Sequence, residues 1–272
     1  MARSIWSGAI SFGLVTIPVK MVSAVREKGF SLHLLTKDGG CRLHNKLHCP
    51  ETGREYEMKD TIRGYEIAKD EYLLIQPEEL EMLKPASSKA IVIKDFVKPS
   101  EIDPVYFEKP YYLIPDKIGA HAYDLLIRAM EAEGRIAIAK VTMRENEYLA
   151  ALRVREGLLC LETMRFSDEV IPLKEIAEDR PAPAEAVDER EITMARQLLH
   201  ALESEFEPAK YINEYRERMQ QLINQKAAGQ PVFLPGAVES PKPASVDLMA
   251  VLKASLEEEQ KKNPIRKEPE GV

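Results

Sequence analysis

The chain has 272 residues, 44% hydrophobic and 31% charged, with a formal net charge of −7. That length allows one large domain with appendages or two modest ones, and the apolar content allows a sizeable core. No apolar run approaches the roughly 18 residues of a membrane span, and Met1–Arg3 leads into a strand pattern without the charged and apolar regions of a secretion signal. A soluble cytoplasmic protein is therefore expected. Three cysteines, Cys41, Cys49 and Cys160, form an odd set that argues against a disulfide framework and fits a reducing compartment.

The first element is "SIWSGAISFGLVTIPVKM", Ser4 to Met21. Ile10, Phe12 and Leu14 are apolar on even positions, Val15, Ile17, Val19 and Met21 on odd ones. Alternate side chains of a strand point to opposite faces, so the change of parity predicts one long bent strand with a bulge near Gly13. Residues 1–50 hold seven basic residues (Arg3, Lys20, Arg26, Lys28, Lys37, Arg42, Lys46) against Glu27 and Asp38, a local +5 that leaves −12 on the remainder. Polyanion binding rests on local lysine and arginine, and salt screens charges beyond about 8 Å, so an acidic total is compatible with a nucleic-acid partner. The plainer reading is that basic residues guard strand edges against aggregation.

Arg26 to Arg63 is polar, poor in large aliphatics, and carries Arg26, Lys28, Lys37, Arg42, Lys46, Arg54, Lys59 and Arg63 against six acids. Contacts from such residues to phosphates position a duplex without reading its sequence. Within this stretch, "CRLHNKLHCPETG" gathers Cys41, His44, His48 and Cys49. Zinc needs two well-spaced ligand corners; Cys41-x-x-His44 is one, but His48-Cys49 is a poor second. No metal ligand is assigned.

Short β-rich runs follow at Tyr72–Ile75, Ala90–Val97, Tyr106–Ile114, Ile136–Met143, Tyr148–Val154 and Leu158–Met164, with Glu156-Gly157 as a hairpin turn. Helices are expected at Pro77–Leu83 and about Ala120–Glu133, the latter with Tyr123, Ile127 and Met130 on one face and Gly134 as its stop. So many short strands suggest a barrel or sandwich. After a Pro/Ala/acidic linker, Asp188 opens a capping-box helix with Ile192, Ala195, Leu199, Leu202 and Phe206 on one stripe, ended by Pro208. A second helix carries Ile212, Tyr215, Met219 and Leu222 and closes at Gly229. Such narrow stripes must dock on the barrel or on another subunit. Residues 229–245 read as an extended linker, and Ser245 caps a short helix with Leu248, Leu252 and Leu256 on one stripe, suited to docking a partner or folding back on its own domain.

No phosphate-binding glycine loop, no G-x-S-x-G and no H-E-x-x-H occurs, and the five histidines are scattered, so no catalytic residue and no cofactor are assigned.

The stretches "RSIWSGAISFGLVTIPVKM", "FSLHLLTKDGG", "KAIVIKDFVKPSEIDPVYFEKPYYLIPD", "RIAIAKVTMRENEYLAALRVREGLLCLETMRFSDEV" and "YINEYRERMQQLINQKAAG" resemble the bacterial Ku proteins, in order over roughly residues 1–230. The resemblance implies a mixed, mainly β fold: a Ku-type β-barrel core over 1–180 with a DNA-encircling arch at about 26–63, then a helical C-terminal arm at 188–228, associated with dimer formation. It makes 229–245 a linker and 246–272 a short helix and tail. It implies sequence-independent binding of double-stranded DNA ends by a ring-shaped homodimer, with recruitment of the bacterial multifunctional DNA repair ligase, in the cytoplasm and associated with the nucleoid. By that analogy the eight basic residues of the arch contact DNA, and Leu248, Leu252 and Leu256 dock the ligase. Trp6 and Phe12 then read as core packing. Two departures are visible: Thr52 stands where some members complete a Cys-x-x-Cys, and Asn213 where an aspartate is expected. The rival readings are a zinc-dependent enzyme built on the Cys/His cluster and a β-barrel scaffold that binds no nucleic acid.

Overall fold

Ser4 to Met21 resolves into two strands rather than one. The structure, a computed structural model, describes residues 3–38, 40–83, 89–143, 146–181, 187–229 and 248–262. β1 (Ser4–Phe12) and β2 (Val15–Ser23) form an antiparallel hairpin in which Phe12 faces Val15 and Ile10 faces Ile17. Gly13 takes φ +58° in the two-residue turn, a conformation that costs glycine little, and Leu14 is fully exposed at the tip. The parity changes because the chain reverses, so that Ile10, Ile17, Val19 and Met21 all enter one core. The expected bulge near Gly13 is thereby corrected; the irregularity of this pair lies between Ser4 and Trp6.

From Ala24 to Lys89 the chain leaves the barrel. This excursion carries β3 (Leu47–His48) paired with β4 (Glu55–Tyr56), β5 (Arg63–Ala68) paired with β6 (Glu71–Ile75), and the short helix α1 (Pro77–Met82). The chain returns as β7 (Ala90–Val97) and β8 (Phe107–Pro115), then α2 (Ala120–Glu133), β9 (Ile136–Met143), β10 (Asn146–Arg155), β11 (Leu158–Met164) and α3 (Leu173–Ala177). Seven strands close in the order β1-β2-β8-β11-β10-β9-β7, antiparallel except for the β1–β7 pair that completes the ring. Closure removes the free sheet edges that invite aggregation.

The barrel interior is filled by Ile10, Ile91, Leu113, Leu152, Leu159 and Leu161 with their neighbours, and α2 adds Tyr123, Leu126, Ile127 and Met130. The helix stops where Gly134 adopts φ +58° and its N–H reaches the Met130 and Glu131 carbonyls. β9 is covered on both faces, and a second cluster of Ile136, Ala151 and Met164 is roofed by Ile102, Tyr106 and Phe107. Trp6 packs against the core, and its indole N–H donates to the Thr142 carbonyl at 3.1 Å. Phe12 does otherwise: at 43% exposure it meets Phe96 edge to face at 5.4 Å and lines an apolar cavity of about 550 Å³ with Val15, Leu125, Leu126 and Met130. It lies at the last position of β1, beside the turn, which is why it misses the core.

A second compact unit begins at Ala177. In it α4 (Glu189–Leu202) is capped by Asp188, whose carboxylate accepts from the Arg190 N–H at 2.9 Å while Glu191 accepts from the Asp188 N–H. The helix ends at Leu202, so Phe206 leaves the expected stripe and stacks on Tyr211 instead. α5 (Glu214–Ala227) starts two residues later than Ile212 suggested, capped by Asn213, whose Oδ1 accepts from the Arg216 N–H at 2.9 Å. α6 (Leu248–Lys262) packs against α4. No residue of α4 or α5 is buried. The linker beyond Gly229, Ser245 and the tail from Asn263 lie outside the described residues.

Candidate nucleic-acid interface

The excursion has no core of its own. Among its described residues, from Ala24 to Lys89, none is buried, and only Ala24, Phe30, Thr36, Cys49, Ile75 and Leu80 are even partly covered. A segment this long pays the conformational entropy of ordering with little apolar burial of its own to offset it.

Arg26 and Lys28 lie on an extended stretch in which residues 26–33 make no main-chain to main-chain hydrogen bond among the described residues. Leu35 then bridges to Arg42, and Thr36 closes the intervening turn: its N–H donates to the Cys41 carbonyl at 2.9 Å and its hydroxyl accepts from the Cys41 N–H at 3.0 Å. Lys37 sits in that turn and Arg42 at its foot. The β3–β4 hairpin turns through Gly53 at φ +68°, with the Cys49 N–H donating to the Arg54 carbonyl at 2.9 Å. Arg63 opens β5 opposite Ile75.

All eight predicted cations are exposed. They are not equivalent. Lys46 Nζ pairs with Glu55 Oε2 across the hairpin at 2.5 Å, and Lys59 with Glu57 at 2.7 Å, whereas Arg26, Lys28, Lys37, Arg42, Arg54 and Arg63 have no ion pair among the described residues. An unpaired guanidinium or ammonium can take a phosphate oxygen without first giving up a carboxylate.

The Cys/His cluster does not converge: among the described residues no three His, Cys, Asp or Glu side chains come together at one point. The Thr52 hydroxyl and the N–H groups of Thr52 and Glu51 hydrogen-bond to Cys49 and hold its thiol below the usual value.

The excursion also holds a ribbon of which the sequence reading found only the second strand, at Tyr72–Ile75. In β5–β6, Tyr65 pairs with Leu73 and Glu66 with Tyr72, and Tyr65, Ile67, Tyr72, Leu73 and Leu74 are all exposed. The alternation in "RGYEIAKDEYLLI" about the Asp70 turn, φ +63°, is the signal that would have found this ribbon. Of the proposed docking leucines, Leu252 and Leu256 are half-buried on α6, and Leu248 opens that helix. No helix among the described residues is long and apolar enough to cross a membrane.

The family model described as the Ku70/Ku80 beta-barrel domain matches residues 11–194. The chain is 43% identical over 261 residues to the non-homologous end joining protein Ku of Symbiobacterium thermophilum, covering 93% of this chain and 62% of that protein's length. It is 41% identical to the Heliobacterium modesticaldum protein of the same name, with 95% and 92% covered, and 40% identical to that of Desulfitobacterium hafniense, with 93% and 87% covered.

Proposed function

The chain belongs to the Ku β-barrel family, and from that premise we propose that it binds double-stranded DNA ends in non-homologous end joining, as a binding protein rather than an enzyme. The observation that carries the reading is the excursion between β2 and β7, rooted in a closed barrel, which among its described residues buries none and exposes six cations without an ion pair. Two copies together encircle the duplex. The barrel wall and the excursion of each supply half of the ring, and phosphate contacts from Arg26, Lys28, Lys37, Arg42, Lys46, Arg54, Lys59 and Arg63 hold the DNA by its backbone. Exposed apolar side chains such as Leu199, Leu202, Tyr211 and Tyr215 on the helical arm favour association with a second copy. The leucines of α6 dock the repair ligase, and the site of action is the nucleoid within the cytoplasm.

Topology supplies the specificity. A closed ring has no route onto an uninterrupted duplex, so preference for ends requires no base reading and no chemistry. Once threaded, it leaves only over an end. Binding to a linear duplex and to a closed circle of the same sequence is the test: retention on linear DNA whose ends are blocked after loading, and no loading onto circles, is expected. Equal binding to both forms overturns the reading.

A further inference from the structure

We propose that α6 is a self-binding clasp, and that its leucine stripe is held against α4 of the same chain until a partner displaces it. The proposal rests on the reading of α6 as the ligase-docking helix and adds its regulation.

The geometry within the second unit carries it. α6 packs on α4, and along α6 the partly covered positions are Leu252, Ser255 and Leu256, whereas Val251, Lys253, Ala254, Glu257 and Glu258 are exposed. Positions 252, 255 and 256 lie three and four apart, one face of a helix. On α4 the partly covered positions are Glu191, Ile192, Met194, Ala195, Leu198 and Ala201, again a single face. Of the leucines that would be offered to the ligase, Leu252 and Leu256 are therefore covered, and one set of side chains cannot fill two apolar contacts at once. Because α4 and α6 are parts of one chain, the internal contact competes at a fixed effective concentration and is independent of dilution. A partner's apparent affinity falls by the fraction of time α6 stands free. Opening also uncovers the Ile192–Leu198 face of α4, so the two surfaces become available together.

The clasp and a simple docking peptide differ in the sign of one mutation. Leu198→Ala on α4 removes cover from α6 but no group from the docking stripe. In the full-length protein it is expected to raise amide exchange over residues 251–258 and to tighten binding of the purified multifunctional repair ligase by about ten-fold, equivalent to about 1.4 kcal/mol. Ala195→Lys, which blocks the same contact by bulk and charge, repeats the measurement should the first substitution be absorbed. Leu252→Ala is expected to raise exchange equally and to weaken the ligase. Unchanged exchange over 251–258 in both α4 variants overturns the clasp, and so does weaker ligase binding by both, which would mean that the helix pair is recognised as a unit. If Leu252→Ala leaves ligase binding unaltered while exchange responds as expected, the docking assignment fails and the clasp stands.

Discussion

Tyr123 and Leu159 are joined through one hydroxyl: the Leu159 N–H donates to Tyr123 Oη at 2.7 Å, and the same hydroxyl donates to the Leu113 carbonyl at 2.6 Å. A side chain of α2 thus completes the main-chain bonding of β8 and β11 inside the core. Removing the hydroxyl leaves a buried N–H and a buried carbonyl each without that partner. Tyr123→Phe is expected to cost about 1–3 kcal/mol in urea unfolding, with DNA-end binding unchanged.

The same residue sets a pH dependence. Burial raises the Tyr123 pKa above its ordinary value of about 10, so the neutral phenol is favoured in the folded state. Its contribution is complete below about pH 10 and is lost as the pH rises from there through the folded-state value, because the unfolded chain releases the proton first. The stability difference between the native chain and Tyr123→Phe should therefore hold from pH 8 to about pH 10 and shrink above it, a comparison in which the other tyrosines and lysines cancel.

Two glycines of the first hairpin should both lose stability on replacement by alanine, for different reasons and by different amounts. A Cβ at Gly8 would stand 2.2 Å from the Lys89 carbonyl oxygen and 2.3 Å from the Trp6 ring, and that carbonyl is fixed by the Ala9 N–H at 3.0 Å. Gly8→Ala must open the β1–β7 seam or expel the indole, and a loss of about 3 kcal/mol or more in thermal unfolding is expected. Gly13→Ala meets empty space and only the positive φ opposes it, at a cost of about 1–2 kcal/mol.

Ion pairing ranks the cations of the excursion. Arg42→Ala or Lys37→Ala should each lower the slope of log affinity against log salt by about 0.9 on a linear duplex, one phosphate contact apiece. Lys46→Ala should change it less, since Glu55 already neutralises that ammonium, and Glu55→Gln should tighten binding by freeing it. A salt series over the four variants measures this; identical slopes in all of them would count against phosphate contact by this surface.

Where elements are deeply buried and sharply punctuated, the sequence was readable. Ile136–Met143, Leu158–Met164 and the helix from Ala120 to the Gly134 stop stand where period and punctuation put them. At Gly13 parity alone was ambiguous, since a bulge and a chain reversal both switch faces. The β5–β6 ribbon was partly missed because both its faces are wet, leaving alternation with no core to point at. The stripe through Phe206 overran because the chain leaves the helix at Leu202, where Glu203 is extended at φ −60° and ψ 127°, well before Pro208. For the candidate interface, charge was legible but pairing was not: Lys46 and Glu55 meet only because a hairpin folds nine positions back on themselves.

The parallel β1–β7 seam has a kinetic consequence. β2 and β7 flank β1, and Ala90 stands level with Ala9 and Pro18, five positions short of Ser23 along β2, so the feet of the excursion are about 20 Å apart while roughly 66 residues run between them. Every folding event must bring those feet together against the freedom of that whole loop. Bridging Ser23 to Ala90 with about eight Gly/Ser residues would reduce the closure penalty by about 2 kcal/mol by the logarithmic length rule. The shortened barrel should fold faster and melt higher than the natural chain while losing hold of DNA ends. The excursion is thus a standing entropic load on its own scaffold, and under the proposed function relief from that load should follow when it closes on a duplex.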